Sequence, residues 1–280
     1  MLKTALLASA AAIGLSVAAQ AADLPSRAAP APYLALPTFT WTGFYVGANA
    51  GYIFSDTGRV TTVGNNGPVG GPSTIFNVNT GARPPLAQVD PEGFIGGGQV
   101  GYNIQIGSFV GGIEADAAYT DYRRTVGVLG TSNALSSFTN DLGFLGTVRA
   151  RAGYTFGQVL LYGTGGLAYG DVRQNATFFA TPAAGGTGVV QFAGGRTSIE
   201  IGYAAGAGVE YALPTSFSVF GSSAVTIRAE ALYYDLGRRN VIVADTGLAP
   251  AATRGQSYTS RFDTDGVIAR AGINFKFGSF

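Results

Sequence analysis

The sequence predicts an all-β chain, an eight-stranded antiparallel up-and-down transmembrane β-barrel, on three observations. Apolar residues alternate with a period of two, tight and long connections alternate, and 43 glycines accompany 18 Phe and 14 Tyr. The clearest stretch is the last. From residue 266 onward, Val267, Ala269, Ala271, Ile273, Phe275 and Phe277 share one face, and Ile268, Arg270, Gly272, Asn274 and Lys276 share the other. A two-faced strand needs a partner on each edge, and closing the sheet into a barrel supplies both.

Eight strands are expected, at about 43–54, 93–106, 108–119, 142–156, 158–172, 197–213, 217–235 and 265–280. Tight connections fall at Gly107, at Gly157 and from Leu213 to Ser216, and the other four connections are long and rich in Gly, Asn, Ser, Thr and Pro. Within the first long connection, Val60 to Val63 and Thr74 to Val78 are β-prone runs around Asn66-Gly67, which predicts an extramembrane hairpin and makes ten strands the competing count. Strands of about ten residues, tilted near 45°, cover an apolar band of roughly 25 Å. The fifth strand, with Leu160, Leu161 and Tyr162 together, does not declare its register.

Ahead of the barrel, Met1 to Ala21 reads as a secretory leader, with Lys3 at its start, an apolar run, and Ala19-Gln20-Ala21 as a small-x-small cleavage site. Residues 22–40 form an Ala/Pro-rich tail in which Pro25, Pro30, Pro32 and Pro37 withhold backbone donors. Residues 41–280 make up the barrel domain.

Charge decides which face is which. A basic residue on the lipid face costs about 2–4 kcal/mol at the midplane, so Arg149 and Arg151 are expected inside. The same alternation turns Glu114, Asp116, Glu200, Glu210 and Glu230 inward, together with Arg228, Arg270 and Lys276. Opposite charges on neighbouring strands can pair, and an eight-strand barrel is only wide enough for side chains to fill it. The expectation is a plug of ion pairs. The alternative is a small-solute porin with Arg149 and Arg151 at a narrow constriction. A soluble lipocalin-like barrel would need polar outward faces, and these are apolar. Trp41, Phe44, Phe109, Phe156, Phe217 and Phe220 are expected in one aromatic girdle, and Tyr119, Tyr122, Tyr169, Tyr233 and Tyr234 in the other.

Composition excludes more than it suggests. With 17 basic and 16 acidic residues, no charge excess points to nucleic acid. Without Cys or His there is no thiolate nucleophile, no Cys-based metal site and no imidazole base, so neither an enzyme nor a cofactor is expected. Gly96, Gly98 and Gly101 match a dinucleotide-loop string, but no helix-period segment follows them.

The segment W-T-G-F-Y-V-G-A-N-A-G-Y from Trp41 and the closing G-I-N-F-K-F resemble the small porin-family outer-membrane barrels related to the OmpA transmembrane domain and the opacity proteins. The resemblance implies a Gram-negative outer-membrane barrel with extracellular loops, surrounded by outer-membrane lipid and lipopolysaccharide, that supports envelope integrity or surface contact. It also implies that Arg270, Gly272, Phe275, Phe277 and Phe280 form the C-terminal signature read by the barrel-assembly machinery.

Overall fold

The computed structural model describes residues 39–55, 58–68, 70–181, 188–214, 222 and 224–278. The expected leader, nearly all of the tail, Phe217, Phe220 and Phe280 lie outside these residues.

Ten strands, all paired antiparallel, form one sheet among the described residues. They are β1 (Gly43–Phe54), β2 (Arg59–Gly64), β3 (Leu86–Gln88), β4 (Glu92–Ile106), β5 (Phe109–Leu129), β6 (Leu135–Phe156), β7 (Val159–Phe179), β8 (Val190–Ala212), β9 (Ala224–Asp245) and β10 (Ser257–Phe277). The ladder runs β1-β4-β5-β6-β7-β8-β9-β10 and returns to β1, so eight strands close a ring, and with β2 and β3 the described sheet holds ten strands in all. The extra two extend the wall. Phe44 to Phe54 of β1 lie against Phe277 to Val267, and β2 then takes over the same edge of β10, with Val60 opposite Phe262 and Gly64 opposite Tyr258. The short β3 pairs with β2 in turn. The second half of the expected hairpin is a helix instead, α1 (Thr74–Asn79), started by Ser73, whose hydroxyl accepts from Phe76 N at 3.0 Å. That capping bond satisfies one of the orphan donors of the first turn, which a β-propensity reading overlooks.

Two tight connections hold Gly107 and Gly157 at φ +62° and +65°; the third falls partly outside the described residues. At the opposite end the strands outrun the expected bounds. β5 to β10 are 21 to 23 residues long. At about 3.3 Å per residue and 45° of tilt that is roughly 50 Å of wall, twice an apolar band.

The faces explain the extra length. Near the tight turns, β7 turns Leu161, Gly163, Gly165 and Leu167 outward and buries Leu160, Tyr162 and Ala168, which settles its register. Beyond Tyr169 the outward residues are Asp171, Arg173, Asn175 and Thr177, while Val172, Gln174, Ala176 and Phe178 face inward. The apolar face has changed sides. Outward tyrosines mark the change on neighbouring strands, with Tyr119, Tyr203 and Tyr233 at 68, 50 and 39 % exposure. Tyr122 and Tyr234, expected in that girdle, are fully buried. Simple alternation turns both inward, since Tyr122 stands three residues after the outward Tyr119 and Tyr234 one after Tyr233.

Above the tyrosines lies an inner core of Val60, Ala87, Phe138, Phe178, Phe192, Val243, Tyr258 and Phe262, with Val78 of α1 packed into it. Its rings meet edge to face, Phe178 and Phe192 each about Tyr258 at 5.0 and 4.9 Å. The connection between β9 and β10 is tied by Asp245, whose carboxylate accepts from Gly255 N at 2.8 Å, Gly247 N at 2.8 Å and Ala249 N at 3.1 Å. These backbone donors hold its carboxyl below the usual aspartate range. A depressed folded-state pKa contributes order that is present above the unfolded value, about 4, and is lost as pH falls through the folded one. The amide proton shifts of Gly247, Ala249 and Gly255 should therefore titrate together below pH 4, and Asp245→Asn should abolish the transition. Flat shifts across that range would refute the tie.

Candidate functional site: the ionic layer

Between the tight turns and the tyrosine level, the inward side chains sort into layers. Nearest the turns, Trp41, Val110, Leu160, Tyr162 and Ala212 pack together with Phe39 against them. Trp41 was expected in a girdle but is 1 % exposed. Its indole N–H donates to Thr155 Oγ1 at 2.9 Å, and Phe39 meets its ring edge on at 4.9 Å. Preceding β1 without belonging to it, Trp41 escapes strand alternation and folds in across the turn end.

Next come four arginines and four carboxylates. Arg149 Nη2 lies 2.7 Å from Glu114 Oε1 and 2.9 Å from Asp116 Oδ2, and its Nη1 is 3.3 Å from Glu230 Oε2. Arg270 Nη2 reaches Glu230 Oε1 at 2.7 Å and Asp116 Oδ2 at 3.1 Å. Arg151 Nη2 meets Glu210 Oε2 at 2.7 Å, and Arg228 Nη1 meets Glu114 Oε2 at 2.5 Å. All eight side chains are at most 2 % exposed. Some contacts follow the ladder, since Glu114 is registered with Arg149 and Glu230 with Arg270. Others cross the interior, as Arg228 of β9 does to β5.

Neutral groups complete the layer. Tyr45 donates to Glu114 Oε2 at 2.7 Å and accepts from Arg151 at 3.0 Å, and Tyr162 donates to Glu230 at 2.9 Å. Each hydroxyl occupies space that a Cβ on Gly101 or Gly208 would claim, so glycine is required at both positions. Thr147 donates to Asp116 at 2.6 Å, and Asn274 to Glu210 at 2.9 Å. Asn274 Oδ1 in turn accepts from Gln99 at 2.7 Å, and Gln99 Oε1 accepts from Asn49 at 2.5 Å. Reading charge alone misses these residues, although each stands at an inward position of the alternation. Above them Ile53, Ile95, Tyr122, Leu142, Leu145, Leu232, Tyr234 and Ile268 form an apolar layer with no ionic member.

Two expected members stand apart. Glu200 is inward but lies above the tyrosines, where the β8–β9 ladder is interrupted between Ala193 and Tyr203. Its partners are the rim residues Arg239 and Arg196, the latter at 3.4 Å. Lys276 also faces inward and donates from Nζ to Trp41 O at 2.7 Å, with the indole ring 5.9 Å away. Of the C-terminal signature, Arg270 belongs to the ionic layer, while Gly272, Phe275 and Phe277 lie along β10 against β1. Gly96 to Gly101 are part of β4, as expected, and not a loop before a helix. The carboxylates are braced by guanidinium groups on several sides, an arrangement suited to holding charge in place.

A closed antiparallel ring with an apolar outer band, aromatic margins and a charged interior defines a membrane-spanning β-barrel. The chain belongs to the family described as outer membrane protein beta-barrel domain, which it matches over residues 7–275. It is 31% identical to the 31 kDa outer-membrane immunogenic protein of Brucella melitensis biotype 1, over 99% of this chain and 100% of the relative. To the 22 kDa outer membrane protein of Rhizobium leguminosarum bv. viciae it is 29% identical, over 85% and 80% of the two chains. Among solved structures, the outer membrane protein OprG from Pseudomonas aeruginosa shares the fold, with a TM-score of 0.51 and 14% identity over 85% of this chain and 97% of that one. The protein is an outer-membrane β-barrel.

Proposed function

We propose that this barrel is a non-enzymatic surface protein supporting envelope integrity and surface contact, with its long-loop end outward and its lumen closed by the ionic layer. The observation that carries the reading is the set of eight mutually paired charges at no more than 2 % exposure, held between the Trp41 cluster below and the apolar layer above. An enzyme reading lacks a base, since the chain has no histidine and its buried carboxylates are neutralised by arginines. A long-loop end displayed outward also fits a relative named for being immunogenic. Outer-membrane lipid and lipopolysaccharide would surround the apolar band, and the barrel-assembly machinery would read the signature from Arg270 to Phe280.

Planar-bilayer recording tests the closure. The folded protein should pass no large, stable current. Steady conductance that changes on Arg149→Ala would favour the narrow porin instead and would sink the closed reading.

A further inference from the structure

Five arginines are nine-tenths or more buried among the described residues, and four of them belong to the ionic layer. The fifth, Arg83, stands far from it in the connection between α1 and β3 and is 4 % exposed. No described carboxylate lies within salt-bridge distance of it. Its Nη1 donates to Leu135 O at 3.0 Å, and its Nη2 to Phe179 O at 2.5 Å and to Gln191 Oε1 at 3.1 Å. The guanidinium carbon lies 5.3 Å from the centre of the Phe178 ring. These partners are neutral, as is the Tyr258 hydroxyl that also bonds the guanidinium, and together they take most of the five donors it offers. Burial pulls the group below its ordinary pKa, as an uncompensated charge requires.

Beside Arg83 lies a half-open cavity of about 270 Å³ at the long-loop end. Asn77, Ser132, Gln191, Thr253 and Tyr258 help to line it. Ser132 and Thr253 spend their hydroxyls on long contacts only, 3.4 Å to Ala82 O and to Pro250 O. Asn77 donates its amide N–H to Tyr258 at 3.0 Å, and its carbonyl oxygen has no partner among the described residues. Among the described residues the lining has one positive charge, several groups able to donate or accept, and no acid.

The kind of ligand follows. A single cation matches a single negative charge, so a doubly charged phosphate is poorly served. The absence of a lining carboxylate argues against amines and zwitterions. The spare hydroxyl and amide groups suit a molecule with several hydroxyls of its own, and the volume lies below the range for drug-sized ligands. We propose that this cavity binds a monoanionic sugar acid, its carboxylate on Arg83 and its hydroxyls on Ser132, Thr253 and Asn77. A planar carboxylate is the natural partner of a guanidinium that has no acid beside it among the described residues. The proposal is independent of whether the lumen conducts.

Isothermal titration of the detergent-solubilised, heat-modifiable protein with sodium glucuronate tests it, with glucose and acetate as separate controls. Glucuronate should bind saturably, and both controls roughly tenfold or more weakly, the scale of one charged hydrogen bond. Trigalacturonate binding as well would make a polysaccharide end the source, and glucuronate binding alone would make it the free sugar; both outcomes uphold the site. Arg83→Met should lose at least about tenfold while keeping its gel shift. If that variant does not fold, Thr253→Val and Ser132→Ala, which leave the charge in place, should weaken glucuronate and spare acetate. No saturable glucuronate binding by the folded parent, or equal binding of glucose, overturns the proposal.

Discussion

Arg149→Met should lower the unfolding free energy by about 3–5 kcal/mol, measured by urea titration of the barrel in lipid bilayers, because it leaves a buried charge uncompensated. Arg149 touches Glu114, Asp116 and Glu230 at once, at 2.7, 2.9 and 3.3 Å, closer to Glu114 than Arg270, which reaches the same three carboxylates at 4.0, 3.1 and 2.7 Å. Removing it leaves Asp116 and Glu230 to Arg270, while Glu114 keeps Arg228, Arg151 and the more distant Arg270, so four buried carboxylates face three arginines. If desolvation is the cause, a double variant that also carries Asp116→Asn should recover much of the loss, since three arginines then face three carboxylates and Arg270 keeps Glu230. Glu200→Gln is the contrast. Its partners Arg196 and Arg239 are 47 % and 36 % exposed, so solvent screens the interaction and the change should stay within about 1 kcal/mol. Equal losses at Arg149 and Glu200, or a double variant weaker than the single one, would contradict this account of the layer.

Trp41→Ala should cost a similar amount, about 3–5 kcal/mol in the same titration, the usual range for emptying a buried tryptophan site. The indole is 1 % exposed, donates to Thr155, is met by Phe39 and carries Lys276 near its face. A tryptophan in a lipid-facing girdle would behave differently, since its loss leaves no internal void. Native Trp fluorescence discriminates further, because the chain has a single tryptophan. It should be quenched weakly by brominated lipid. Strong quenching together with a stability change below about 1 kcal/mol would return Trp41 to the interface.

The half of the barrel near the tight turns was legible because lipid enforces one rule there: apolar outside, polar inside. Arg149, Arg151, Arg228 and Arg270 could be assigned from alternation alone, and their partners Glu114, Asp116, Glu210 and Glu230 with them. Beyond the tyrosines the rule reverses, so β7 still alternates but with Val172 and Phe178 inside, and a reading tuned to greasy outer faces stops at that point. Glu200 sits past the reversal, which is why its parity was right and its partners were not. Tyr122 is a second kind of failure: it stands three residues after the outward Tyr119, so the alternation itself turns it inward, and a grouping by residue type alone passes over that parity. Arg83 gave no signal at all. It belongs to no strand, and its burial arises only when its own connection folds across to Leu135, Phe179 and Gln191, which are far away in sequence.

The reversal has a consequence for how the chain reaches its final state. In β7, one end of a single strand wants hydrocarbon on its outer side, whereas the other end wants water there and grease within. No single solvent satisfies such a segment before it has neighbours. In water the first portion is sticky, and in a bilayer the second is stranded. The aromatic packing around Tyr258 draws on β6, β7, β8 and β10 together, so the upper storey gains its interior only once the lower one has brought those four side by side. Maturation should thus proceed upward from the membrane, with the crown consolidating last.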